Sequence, residues 1–142
     1  MAAFTVGALW ALLFVFVARR FRLHVEHILY AGLVAVIPIV YVAFAAWNRA
    51  PGPWIWTQVA GVILYVGAAW VGLRRFPFVL GIAILTHAGW DLVHLLAVRG
   101  GALETSFLPP HYEILCVGFD GLAGVYALAR AKDWVVAMPR ES

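Results

Sequence analysis

At 142 residues the chain has room for one domain and not for a second of ordinary size. Hydrophobic residues make up 65% of it, charged residues only 12%, and the mean hydropathy is +0.93, which excludes a water-soluble globule with a surface of mixed charges. Its net charge of +3 comes from ten Lys and Arg residues scattered between apolar runs, with no basic patch and no aromatic platform, which excludes nucleic acid as a partner.

Five apolar stretches have the roughly 17 to 25 residues that a bilayer-spanning helix needs: 2–18, 25–47, 54–73, 76–98 and 111–130. The expected fold is therefore all-α, a polytopic membrane protein whose single domain, residues 1–142, is a bundle of five transmembrane helices. Residues 2–18 follow no positively charged leader region, which argues for a retained first span. The breaks have local causes: Arg19, Arg20 and Arg22; the run from Asn48 to Pro53; Arg74 and Arg75; Arg99-Gly100-Gly101; and Pro109-Pro110. The longest connection, 99–110, carries Glu104, Thr105 and Ser106 and is long enough to fold over one end of the bundle as a lid.

Basic residues set the orientation. Three lie in the first connection, two in the third and three in the C-terminal tail (Arg130, Lys132, Arg140), against one each in the second and fourth. By the positive-inside rule the N-terminus is outside and the C-terminus inside, which agrees with an odd number of spans. Trp47, Trp54, Trp56 and Trp134 fall at span ends, as residues of an interfacial belt do. Pro38 within the second span predicts a kink able to open a lateral gap between helices.

The fourth stretch interrupts its apolar run with Thr86-His-Ala-Gly-Trp-Asp-Leu-Val-His94. At about 100° per residue, His87, Asp91 and His94 fall within an arc of roughly 60° and form one polar stripe. With this helix running from inside to outside, His87 lies about 15 Å, Asp91 about 10 Å and His94 about 5 Å below the outer boundary. The fifth stretch enters from the same side, and its Glu113, Cys116 and Asp120 also share one face. His111, two residues from Glu113, points about 160° away from it, so only one of the two can join that face. Gly89 on one helix and Gly118, Gly121 and Gly124 on the other are positioned to let the backbones approach.

Imidazole and carboxylate groups one and two turns apart can converge on a divalent ion, zinc, iron or manganese, and the expected ligands are His87, Asp91, His94 and Asp120. Asp91 and Glu113 are the candidate catalytic groups, with Tyr112 and Cys116 at the edge of the site. The same set can act as a metal-free acid–base site, or serve only as hydrogen-bonded fastening between helices. For Glu113 and His111, near the interface, simple solvation is the favoured explanation. His24, Glu26 and His27 start the second span on the inner side, too far from His94 to join it, and His27 reads as an interfacial residue. Tyr30, Tyr41, Tyr65, Thr57 and Gln58 are further polar groups that no spacing singles out. Cys116 is the one cysteine, so an internal disulfide is excluded.

The run His87-x-Gly-Trp-Asp91-x-x-His94, followed by Cys116 and Asp120 in the next apolar segment, resembles a family of small bacterial integral membrane proteins of unknown function. Where its members often carry a further histidine, this chain has Leu95. The resemblance implies a compact helical membrane fold in a bacterial inner (cytoplasmic) membrane, and no reaction. The expected function is a metal-dependent membrane enzyme, a hydrolase or isomerase, acting on a lipid or isoprenoid-like hydrophobic small molecule. The alternatives are an accessory subunit of a membrane complex or homo-oligomer holding a pigment, quinone or haem, and a proton or ion pathway. Two histidines on one face of one helix cannot take both axial positions of one haem. A pathway would have to continue through Leu80-Gly-Ile-Ala-Ile-Leu85, which carries no polar side chain.

Overall fold

The computed structural model describes residues 1–101, 107–109 and 111–138. These form five α-helices: α1 (Ala2–Ala18), α2 (Leu23–Trp47), α3 (Gly52–Arg74), α4 (Phe78–Arg99) and α5 (Tyr112–Ala137). Four, α2 to α5, are long and apolar enough to cross a bilayer, and α1 is a shorter apolar helix of 17 residues. They indicate an integral membrane protein in a lipid environment, with side chains such as Ile63, Leu64 and Val125 on its outer surface. The expected lid residues Glu104, Thr105 and Ser106 lie outside the described residues, as does Arg140.

Helix α5 departs most from expectation. It continues past Arg130 to Ala137, 26 residues or about 39 Å in all. The charges at Arg130, Lys132 and Asp133 do not end it, because Trp134 beyond them is wholly buried against Tyr30 and His27 of α2. Trp134 is therefore a core residue and not part of an interfacial belt. Trp47 and Trp56 do stand exposed, whereas Trp54 turns inward. Pro38 sits inside an unbroken α2.

Helix α5 packs along α1 on one side and α4 on the other, α2 packs along α3, and α2 also touches α4 and α5. Glycines set two of these distances. A Cβ on Gly118 would lie 2.3 Å from the Phe4 carbonyl oxygen, and one on Gly7 would lie 1.9 Å from that of Leu115, so α1 and α5 meet backbone to backbone. Gly81 and Gly124 do the same for α4 and α5, with Leu128 and Leu85 filling the space a Cβ would need. The expected roles of the glycines are thus corrected: Gly118 serves α1, Gly89 and Gly121 meet no neighbour, and of the four only Gly124 faces α4. The reason is angular. Gly89 and Gly118 lie two residues from Asp91 and Asp120 and so point about 160° away from the polar stripes.

The buried face of α2 recurs every third or fourth residue through Glu26, Tyr30, Val34, Pro38, Tyr41 and Ala45. It is polar at both ends, Glu26 and Tyr41 being about 22 Å apart along the axis. Between them Val34 packs with Leu80, Ile84, Ala123 and Ala127 in an apolar layer. At the first end, Glu26 accepts hydrogen bonds from Tyr126 Oη (2.6 Å) and from Arg130, whose Nη2 lies 3.0 Å from Oε2. His27, expected at the interface, is buried instead: it stacks on Trp134 and its Nε2 donates to the Gly72 carbonyl at 3.0 Å. This cluster fastens α2 to α5 and to the end of α3.

Two outcomes follow. Gly118→Ala forces α1 from α5 and should cost about 1–3 kcal/mol, whereas Gly89→Ala and Gly121→Ala should leave the melting temperature in detergent unchanged. Arg130→Ala strands the Glu26 carboxylate, which is 1% exposed, while Arg130 itself is 23% exposed. The expected loss is therefore near the lower end of the roughly 3–5 kcal/mol that breaking a buried pair costs, and adding Glu26→Gln should recover part of it in the same melting assay.

Candidate metal centre

The second polar end of α2 meets the polar faces of α4 and α5. His87, Asp91 and His94 are all buried on one face of α4, as their spacing requires, and Glu113 and Asp120 are buried on the facing side of α5. The two antiparallel helices are held in register by two histidine–carboxylate pairs. His87 Nδ1 donates to Asp120 Oδ2 at 2.9 Å, and His94 Nδ1 donates to Glu113 Oε1 at 3.1 Å. Seven residues separate the members on each helix, so both pairs belong to the same alignment. Glu113 is thus a buried partner of His94 and not a solvated interfacial residue, while His111 is exposed, in a left-handed conformation at the start of α5 (φ 66°).

Asp91 has no exposed surface at all. Its Oδ1 accepts the hydroxyl hydrogen of Tyr41 from α2, a residue that sequence spacing did not single out. Its Oδ2 lies 3.4 Å from His87 Nδ1, but that nitrogen's hydrogen is directed to Asp120, and Oδ2 has no hydrogen-bond partner among the described residues. A buried carboxylate oxygen without a donor is a feature that calls for explanation, and a cation supplies one. His94 Nε2 is likewise buried and without a partner among the described residues.

Ligand atoms of His87, Asp91 and Asp120 all lie within 4.8 Å of one another, a spacing that allows them to hold a metal ion. His94 stands apart from this trio, beyond Tyr41, whose ring is edge-on to His87 at 5.3 Å and to His94 at 6.2 Å. Over His94 close the rings of Phe107 at 4.9 Å and Trp54 at 5.8 Å. Phe107 belongs to the α4–α5 connection and is tied to the end of α2 by Asn48 Nδ2, which donates to its carbonyl at 2.7 Å. The site thus has an aromatic roof at its His94–Glu113 end.

Two clefts reach the His87 centre from opposite sides of α2. One, about 270 Å³, lies between α2, α3 and α4 and is lined by Pro38, Gln58, Gly61, Tyr65, His87 and Trp90 among others. Pro38 is on the wall of this cleft. The other, about 230 Å³, lies between α2 and α5 and includes Leu33, Ile37, Cys116, Phe119, His87 and Asp120. Cys116, half-buried, lines that second cleft and is not one of the three clustered ligands; Tyr112 lies on the same wall.

The arrangement can therefore hold a cation, or a proton shared among His87 and two carboxylates, at a point reached by two mainly apolar clefts. Comparison with curated proteins and with solved structures gives no match. A family does match, over residues 1–133, nearly the whole chain. The protein belongs to that family, DUF6010, a family of unknown function.

Proposed function

We propose that the protein is a metal-dependent membrane enzyme, a hydrolase or isomerase, acting on a lipid or isoprenoid-like molecule. The observation that carries this reading is the convergence of three buried ligands, His87, Asp91 and Asp120, at the meeting point of two apolar clefts. Two carboxylates and an imidazole form an N/O donor set suited to zinc, iron or manganese. The ion-pair partner given to Asp91 and Asp120 by the fold is His87, which cannot balance both carboxylates, and a divalent cation would.

In this reading His87, Asp91 and Asp120 would hold the ion, and His94, expected as a ligand from its spacing, stands apart from them. Asp91 is a ligand or base. Glu113 works with His94 as a proton-carrying pair beneath Phe107. Tyr41 is a positioning residue, orienting Asp91 through its hydroxyl. The ion's contribution is to polarise a substrate oxygen and to lower the pKa of a bound water. All five helices, forming one domain, cross a bacterial cytoplasmic membrane, N-terminus outside and C-terminus inside, which puts the roof over His94 on the outer side.

A second reading has its own support. His87 already donates to Asp120 and Tyr41 to Asp91, so these groups are partly satisfied without an ion, as in a metal-free acid–base site or a purely structural network. An ion pathway has less, because the apolar layer around Val34 and Ile84 interrupts the polar groups.

Elemental analysis of purified wild type is expected to give one zinc, iron or manganese per chain, and His87→Ala or Asp120→Asn to lose at least nine-tenths of it, since each removes a direct ligand. Tyr41→Phe should weaken metal affinity by about 10–100-fold, the usual effect of removing a residue that orients a ligand. Absence of stoichiometric metal both as purified and after reconstitution would remove the metal-dependent reading. For orientation, alkaline phosphatase fused after Met138 should be inactive and a fluorescent reporter at the same place should glow; the reverse pattern would overturn the inward C-terminus.

A further inference from the structure

The cleft between α2, α3 and α4 contains a polar group that nothing among the described residues uses. Gln58 of α3 is 5% exposed, and its Nε2 is buried with no hydrogen-bond partner among the described residues. The other hydroxyls of this wall are spent internally. Thr57 donates to the Pro53 carbonyl (2.9 Å), Thr86 donates to that of Ala83 (2.8 Å), and Tyr65 Oη lies 3.2 Å from Thr86 Oγ1, which leaves Tyr65 as donor to it. Burying an amide without a partner costs about 1–3 kcal/mol. The cost is recovered if an occupant of the cleft supplies an acceptor.

Resting on the enzymatic reading above, we infer that this cleft is the substrate-entry site and that it takes a neutral lipid bearing a carbonyl oxygen, hydrogen-bonded to the Gln58 amide. Four features define that chemistry. The walls are mostly apolar, so the body of the ligand is apolar. No Lys or Arg lines the cleft, so an anionic head is not matched. The spare group is an amide donor, so the ligand presents an acceptor. The volume of about 270 Å³ is just under the roughly 300–1,000 Å³ usual for small-molecule sites, enough for the carbonyl end of a lipid but not for its whole chain. The remainder leaves past Leu64, at the rim and 71% exposed, into the bilayer. His87, on the inner wall, links the cleft to the His87–Asp91–Asp120 cluster.

Labelling of the full-length protein in lipid nanodiscs tests this. The probe is a long-chain fatty-acid methyl ester carrying a diazirine, and the control is the matching diazirine hydrocarbon without the ester. The ester is expected to label peptides containing Gly61, Leu64 or Trp90, and the hydrocarbon to label them weakly. Gln58→Leu, which keeps the volume and removes the amide, should lower ester labelling by roughly fivefold, the value of one hydrogen bond. Gly61→Phe should abolish it by filling the cleft, since Gly61 lines it and a Cβ there meets nothing within 4 Å. Asp120→Asn, outside the cleft lining, should lose metal and keep full labelling, so that a wild type without metal would remove the enzymatic reading while leaving the cleft's occupant in place. Equal labelling by ester and hydrocarbon, or unchanged ester labelling in Gln58→Leu, overturns the inference.

Discussion

The arrangement of α2, α4 and α5 answers to one constraint: a carboxylate withdrawn from water among apolar helices must find a partner, and here each of the buried carboxylates has one on another helix. Glu26 of α2 meets Arg130 and Tyr126 of α5, Asp91 of α4 meets Tyr41 of α2, and Asp120 and Glu113 of α5 meet His87 and His94 of α4. Lipid provides little drive for apolar helices to associate, since tails solvate them as well as other helices do. Polar pairs therefore do more here than lower an energy. They select the rotation and axial register of three helices, and the glycine contacts of α1 and of α4 with α5 then bring the backbones into close contact.

The two polar clusters differ in how their carboxylates are satisfied: both leave buried groups without a partner among the described residues, Tyr30 Oη and Trp134 Nε1 at one end and Asp91 Oδ2 and His94 Nε2 at the other, but the leftover carboxylate oxygen belongs to Asp91. At the Glu26 end a full cation answers the carboxylate, and the result is a fastening. At the Asp91 end the partners are imidazoles and a phenol, and a carboxylate oxygen and a ring nitrogen remain unpartnered among the described residues. A cluster built only for stability would gain from completing those bonds. That leftover carboxylate oxygen is the physical ground for the proposal that an ion binds at this end.

Much of this was legible in the chain. The bounds of α1 and the facing stripes of α4 and α5 follow from run length and the helical period, because both are properties of a single helix. Pairings between helices far apart in sequence were not legible. Tyr41 and Asp91 are separated by 50 positions, and Glu26 and Arg130 by 104, with no local pattern linking either pair. Arg130 also carried a competing meaning, since a basic residue at a span end signals topology whether or not it has an acidic partner. The glycines were legible but misjudged: their level along the helix was right, and their azimuth, readable from the same period, turned Gly118 toward α1.

The apolar layer between the clusters has a consequence for bioenergetics. With Val34, Leu80, Ile84, Ala123 and Ala127 in one apolar cluster between the two ends, none of these five side chains offers a proton taken up at the Asp91 end a relay to the Glu26 end. On the enzymatic proposal such a proton would return to the side it came from. Turnover there would move no net charge across the bilayer, so its rate would not follow the membrane voltage.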